Sequence, residues 1–122
     1  MIFIVDDSKA LRERLVSMLS ELEGVEVVGQ ARSAAEAIAG IRDLKPRVVI
    51  LDIQMPGGSG IEVLRTIKQD SHPPIVLMLT NHQLPQYREK CMALGADYFL
   101  DKTIDFDKLT IIFKDLIERF ES

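Results

Sequence analysis

The stretch IFIVDDSKAL, residues 2–11, decides how the chain is read. Four apolar residues run without a break into two adjacent aspartates. A short apolar run of this kind reads as a buried strand. Two carboxylates at its end repel each other, so the rest of the chain has to supply what holds them there. Further apolar runs occur at Val25–Val28, Val48–Leu51, Ile75–Leu79 and, more weakly, Tyr98–Leu100. They are rich in Ile and Val, and the middle ones show no polar alternation, which suits parallel strands covered on both faces.

Amphipathic segments lie between these runs. Leu11, Leu15, Met18, Leu19 and Leu22 share one helical face, and Gly24 stands where a C-terminal cap is expected. Ser33 followed by Glu36 reads as a capping box for a second, Ala-rich helix, and Pro46 separates that helix from the third strand. Ser59 or Gly60 opens a third helix through Ile61, Leu64 and Ile67, and Pro73-Pro74 closes the loop after it. Pro85 fits the first turn of a fourth helix and Gly95 its end. Phe106, Leu109, Phe113, Leu116, Ile117 and Phe120 give the last helix its apolar face. Five strands alternating with five helices predict an open α/β sheet with right-handed crossovers.

The 122 residues suit one domain with one core, and no linker, repeat or low-complexity segment interrupts them. A 47% hydrophobic, 28% charged composition fits a soluble globular protein. The net charge of -4 argues against a large nucleic-acid-binding surface. The single cysteine, Cys91, forms no internal disulfide and reads as packing in a reducing compartment. No apolar run approaches the roughly 18 residues of a membrane span. The N-terminus enters a strand at once, without a signal-peptide pattern, so a cytoplasmic location is expected.

In an open α/β sheet, ligands bind beyond the carboxyl ends of the strands. The first strand ends in Asp6-Asp7, the third in Asp52, the fourth in Thr80, and the fifth near Lys102. Their convergence puts three carboxylates, a hydroxyl and an ammonium in one cleft. Two like charges about 4 Å apart at an effective dielectric near 20 repel by about 4 kcal/mol, so the carboxylates need a cation or raised pKa values. Hard oxygen donors on a partly open rim suit Mg²⁺. Asp52 could then act as a nucleophile toward phosphorus, with the metal and Lys102 offsetting charge and Thr80 donating its hydroxyl. Taken singly, each residue has an ordinary explanation. Asp6 and Asp7 suit a turn and a helix cap, Asp52 a loop start, Thr80 a strand, and Lys102 a solvated surface. Their joint placement at four strand ends points to a site.

Other phosphate chemistries fit less well. The second position after Asp52 is Gln54, which departs from the Asp-x-Asp of haloacid-dehalogenase-like phosphatases. Gly57, Gly58 and Gly60 lack the lysine and spacing of a P-loop and read as turn and helix-entry glycines. There is no Gly-x-Ser-x-Gly elbow and no paired Cys/His metal motif, and His72 and His82 are far apart in sequence.

The motifs IVDDS (4–8), VILDIQMPGGSG (49–60), IVLMLT (75–80) and ALGADYFLDK (93–102) resemble those of the receiver domain of two-component response regulators. The resemblance spans essentially the whole chain, 1–122. It implies a flavodoxin-like (βα)5 three-layer sandwich with strand order 2-1-3-4-5. It makes Asp52 the phosphoacceptor, with Mg²⁺ or Mn²⁺ bound directly by Asp7, Asp52 and the Gln54 backbone carbonyl, and by Asp6 mainly through water. Thr80 becomes the switch hydroxyl, Lys102 the lysine that contacts the phosphoryl group, and Phe99 the aromatic switch residue, although Phe99 also reads as a core aromatic. Gln54 and His82 fall at positions bordering the attacking water and are expected to tune phosphate lifetime.

The family usually carries a cis proline after the lysine; here Lys102 precedes Thr103. A cis bond to a non-proline residue costs about 3 kcal/mol, so a trans bond, or a locally different start to the last helix, is expected.

The expected function is a phosphorelay signalling switch that catalyses only its own phosphorylation and dephosphorylation. A histidine kinase or histidine phosphotransfer domain is expected upstream, docking near the first helix, whose outer face carries Arg12 and Glu13. Downstream, a protein target is expected on the face of the fourth helix, fifth strand and fifth helix. No direct contact with nucleic acid or membrane is expected, and homodimerisation stays open. KTIDFDKL (102–109) resembles a run in single-domain receivers, which suggests a stand-alone receiver, with an excised fragment of a longer regulator as the alternative. A phosphorylation-independent interaction domain would have lost an acidic, Thr or Lys position. Of the enzyme alternatives, a flavodoxin-like carrier or a phosphatase, flavin binding would need phosphate-cradling loops and stacking aromatics near the strand ends, and there is no Trp.

Overall fold

The computed structural model describes residues 1–81 and 84–121. Five strands, β1 (Ile2–Val5), β2 (Val27–Ala31), β3 (Val48–Leu51), β4 (Ile75–Thr80) and β5 (Tyr98–Asp101), alternate with helices α1 (Lys9–Ser20), α2 (Ala34–Leu44), α3 (Gly60–Lys68), α4 (Pro85–Ala93) and α5 (Lys108–Glu121). The strands form one parallel sheet in the order β2-β1-β3-β4-β5, as expected.

The absence of polar alternation in the central strands has a direct structural cause: both faces of the sheet are covered. Phe3, Val5, Val49, Leu51, Val76 and Met78 face the side packed by α2, α3 and α4. Ile2, Ile4, Val48, Ile50, Leu77 and Leu79 face the side packed by Leu15 and Leu19 of α1 and Leu109, Phe113 and Leu116 of α5. Cys91 is fully buried in the first of these clusters, as its packing reading expects, and burial pushes its thiol pKa up.

Three local readings are corrected. The second strand lies at Val27–Ala31, not Val25–Val28. It is an edge strand with only Ala31 buried, so Gly29 and Gln30 are tolerated within it and its apolar pattern is weak. Helix α1 ends at Ser20 with Glu21 as its cap, and Gly24 supplies a left-handed turn (φ 86°) further on. Phe106 precedes α5, although it is buried in the core as an amphipathic-helix residue would be.

The segment after β3 governs how Asp52 is presented. Gln54–Met55 pairs antiparallel with Gly58–Ser59 to form a small hairpin. The Gly60 N–H donates to the Ile53 carbonyl (2.6 Å), and the Ser59 hydroxyl caps α3 by accepting from the Ile61 N–H (3.1 Å). A Cβ at Gly60 would collide with the backbone carbonyl of Asp52. At Gly57, φ is 74° but nothing lies within 4 Å of a Cβ.

These environments predict unequal costs. Gly60→Ala is expected to destabilise by about 3 kcal/mol, because backbone must move to admit the methyl group. Gly57→Ala should cost about 1 kcal/mol, from the left-handed conformation alone. Urea unfolding of both variants measures the difference; equal costs would contradict the close approach at Gly60.

Candidate acidic metal and phosphoryl site

Parallel strands point their carboxyl ends the same way. The register aligns Val5 of β1 with Leu51 of β3, so Asp6 and Asp52 emerge side by side. Leu51 aligns with Met78, and Thr80 pairs with Asp101, which brings Thr80 and Lys102 to the same rim. The Lys102 N–H donates to the Thr80 carbonyl at 3.2 Å.

Asp6, Asp7 and Asp52 each offer an oxygen within 4.8 Å of the others. Asp6 and Asp52 are buried and Asp7 is exposed. The Lys102 ammonium lies 2.7 Å from Asp6 Oδ2 and 2.7 Å from Asp52 Oδ2, with only 14% of its side chain exposed. The remaining oxygens of these two aspartates are also engaged. Asp6 Oδ1 accepts from the Ser8 N–H (2.9 Å), and Asp52 Oδ1 accepts from the Ile53 N–H (2.7 Å).

Burial pushes the Asp6 pKa up, more than the Lys102 ammonium and the Ser8 N–H pull it down. Burial lowers Lys102, but its bonds to Asp52 and Asp6 and their charges outweigh this and raise it. Three carboxylates and one ammonium leave a formal charge of about minus two, with oxygen donors alone. That donor set fits a hard divalent cation such as Mg²⁺.

The other expected residues divide. Gln54 is exposed in the hairpin beside the cluster. Phe99 is buried among α4-side core residues, with the Arg88 guanidinium 5.8 Å from its ring centre. Thr80 is fully buried. His82 lies outside the described residues. The Lys102–Thr103 peptide is trans, as expected.

Three supporting residues escaped the sequence reading. Arg12 does not simply face outward from α1: its guanidinium donates to the Asp6 carbonyl (2.7 Å) and to Gln30 of β2 (3.2 Å). Its spacing on the helix was visible, but its partner on another strand was not. Asp101 and Asp105 organise the loop after β5 through backbone hydrogen bonds that no residue pattern announces.

A concavity of about 760 Å³ lies at the opposite rim, where Arg42, Lys45 and Arg47 face Phe120 and the Pro73-Pro74 loop. None of the acidic-cluster residues lines that concavity, so the chemistry of the cluster, and not cavity volume, locates the site.

Residues 2–114 match the family model of the response regulator receiver domain, and the chain belongs to that family. It is 36% identical to the response regulator GacA of Pseudomonas protegens over 83% of this chain and 47% of that protein. The chain thus spans about half the length of the curated relatives it matches. Among solved structures, a CheY-like receiver domain protein of Methanospirillum hungatei superposes with a TM-score of 0.87 at 26% identity, covering 98% of this chain and 94% of that one. The CheX-CheY complex of Borrelia burgdorferi, which contains beryllofluoride and Mg²⁺, matches with a TM-score of 0.83 at 27% identity, over 98% and 87% of the respective chains. The chain is therefore a signalling receiver of two-component systems, with an acidic cluster that fits Mg²⁺. Among the described residues, no helix is long and apolar enough to cross a membrane.

The pKa directions set a pH signature. Because Lys102 is raised, its stabilising contribution is complete below its ordinary value of 10.5 and is lost as pH rises through the higher folded value. Because Asp6 is raised, its contribution is complete below 3.8 and is lost as pH rises through its folded value. Lys102→Ala is expected to destabilise the metal-free protein by about 3 kcal/mol at neutral pH, by leaving buried carboxylates unpaired. The deficit should shrink on acidification, as Asp6 takes up a proton. Urea unfolding in chelator at several pH values checks both; a pH-independent deficit would count against carboxylate repulsion.

Proposed function

We propose that the chain is a phosphoaccepting switch in a phosphorelay, with Asp52 as the acceptor. The observation that carries this reading is the Lys102 ammonium 2.7 Å from both Asp52 and Asp6, with the Asp7 carboxylate close by. An Asp52 oxygen attacks the phosphorus of a phosphohistidine on a histidine kinase or phosphotransfer domain. The new P–O bond forms as the P–N bond breaks, and the departing imidazole takes a proton. With acetyl phosphate as donor, the P–O bond to the acetyl group breaks instead and acetate leaves.

Asp7, the Asp52 carboxylate and the Gln54 backbone carbonyl would hold Mg²⁺ directly, and Asp6 through water. Asp7 is exposed and suits direct contact with an ion, whereas the oxygens of both Asp6 and Asp52 are already engaged by Lys102 and backbone N–H groups. When bound, Mg²⁺ offsets charge on the transferred group. Lys102 shifts its ammonium from the carboxylates to a phosphoryl oxygen. The Thr80 hydroxyl donates to another, a bond worth up to about 3 kcal/mol to a charged acceptor. Phe99 is buried on the α4 side of the sheet near Arg88, and its repacking transmits the change to the α4–β5–α5 face and a protein target. Residues 1–122 act as one receiver unit, in the cytoplasm. Gln54 and His82 tune hydrolysis. The B. burgdorferi relative solved with beryllofluoride and Mg²⁺ supports the reading by analogy.

Incubation with Mg²⁺ and acetyl phosphate is expected to add one phosphoryl group by intact mass. Asp52→Asn should abolish the addition, and chelation should prevent it. Thr80→Ala should keep uptake but lose most beryllofluoride-induced NMR shifts on the α4–β5–α5 face. Uptake retained by Asp52→Asn would reassign the acceptor.

A further inference from the structure

Lys102 has a mechanical problem. Its backbone belongs to the turn after β5, but its ammonium must reach back to Asp6 and Asp52 on two other strand ends. Ile104, the next apolar residue, is 80% exposed, and the first apolar anchor is Phe106, buried in the core. Side-chain packing therefore does not hold residues 103–105.

Hydrogen bonds do. Asp101 Oδ1 accepts from the N–H groups of Thr103 (2.7 Å) and Ile104 (3.0 Å). Asp105 Oδ2 accepts from the Asp101 N–H (3.0 Å), and the Asp105 N–H donates back to the Asp101 carbonyl (3.0 Å). Lys108 holds the other Asp105 oxygen at 2.9 Å from the first turn of α5. The Asp105 carboxylate thus secures the Asp101 backbone, and the Asp101 main-chain carbonyl holds the Asp105 N–H in return. Lys102 lies inside the loop they close, whose middle the Asp101 carboxylate ties down at Thr103 and Ile104. The Asp101 bond, then Lys108 and the nearby Arg88 charge, keep the Asp105 carboxyl below its ordinary value, so it stays an acceptor at neutral pH.

We propose that Asp101 and Asp105 form a reciprocal clamp that positions Lys102 for its work at Asp52. Asp101 and Asp105 are positioning residues, since neither touches the acidic cluster. The clamp gives a trans Lys102–Thr103 loop the rigidity that a proline would otherwise lend it. The functional consequence rests on the phosphoacceptor reading above; the placement of Lys102 does not. A lysine side chain has four rotatable bonds, so a loosened loop spreads its ammonium over many positions, and small misplacements cost rate steeply.

The discriminating pair is Asp105→Ala and Asp105→Asn, because the asparagine side-chain carbonyl still accepts the Asp101 N–H. Asp105→Ala is expected to lower the saturating rate of phosphoryl uptake from acetyl phosphate about tenfold, with half-saturating Mg²⁺ nearly unchanged. Asp105→Asn should recover most of the rate. In parallel, ¹³C relaxation should show the Lys102 side chain ordered in the metal-free wild type, mobile in Asp105→Ala, and ordered again in Asp105→Asn. An unchanged Lys102 order parameter in Asp105→Ala overturns the clamp. So does an Asp105→Asn variant as mobile as Asp105→Ala. If the wild type takes up no phosphoryl group, relaxation alone decides the clamp, and it is the phosphoacceptor reading that fails.

Discussion

The shared ammonium of Lys102 is the interaction on which the rim depends. A parallel sheet delivers Asp6 and Asp52 to neighbouring positions because its strands run in register and in the same direction. Covered faces bury both carboxylates, and burial in turn penalises the charge of Asp6. A single cation 2.7 Å from both relieves that conflict without removing it, because Asp7 adds a third negative charge. The fold itself thus creates an affinity for further positive charge.

The surrounding loops resolve the geometry with backbone groups rather than with bulk. Ser8 and Ile53 N–H groups orient one oxygen each of Asp6 and Asp52. Arg12 pins the Asp6 carbonyl from α1 and reaches across to β2. Gly60 lets α3 begin almost against the Asp52 carbonyl, so Asp52 sits at the neck of a tight turn. These contacts restrain the side chain or the backbone of acidic residues that charge repulsion alone would drive apart.

The fold was legible because its signals are local and repeated. Unbroken Ile/Val runs separated by helix-period segments have few other solutions, and the strand ends named Asp6, Asp7, Asp52, Thr80 and Lys102 as neighbours before any coordinate did. Legibility failed where a residue's role depends on pairing from one side only. Strand β2 lies at the edge, so its burial pattern is incomplete and the apolar run Val25–Val28 misplaced it. Phe106 carries the apolar spacing of α5 but occupies the turn before it, since the core selects for a buried ring and not for helical backbone.

The sequence by itself determined the class of fold, the identity of the acidic cluster and the need for a cation beside it. Those follow from hydrophobic periodicity and from charge, which are properties of residues in order. Only the tertiary structure decided that Lys102 bridges Asp6 and Asp52 together, that Arg12 turns inward, and that Asp101 and Asp105 brace each other across the Lys102 turn. Those arrangements depend on backbone N–H and C=O groups brought close by folding. Every residue except proline carries the same N–H, so composition and spacing leave such bonds unmarked.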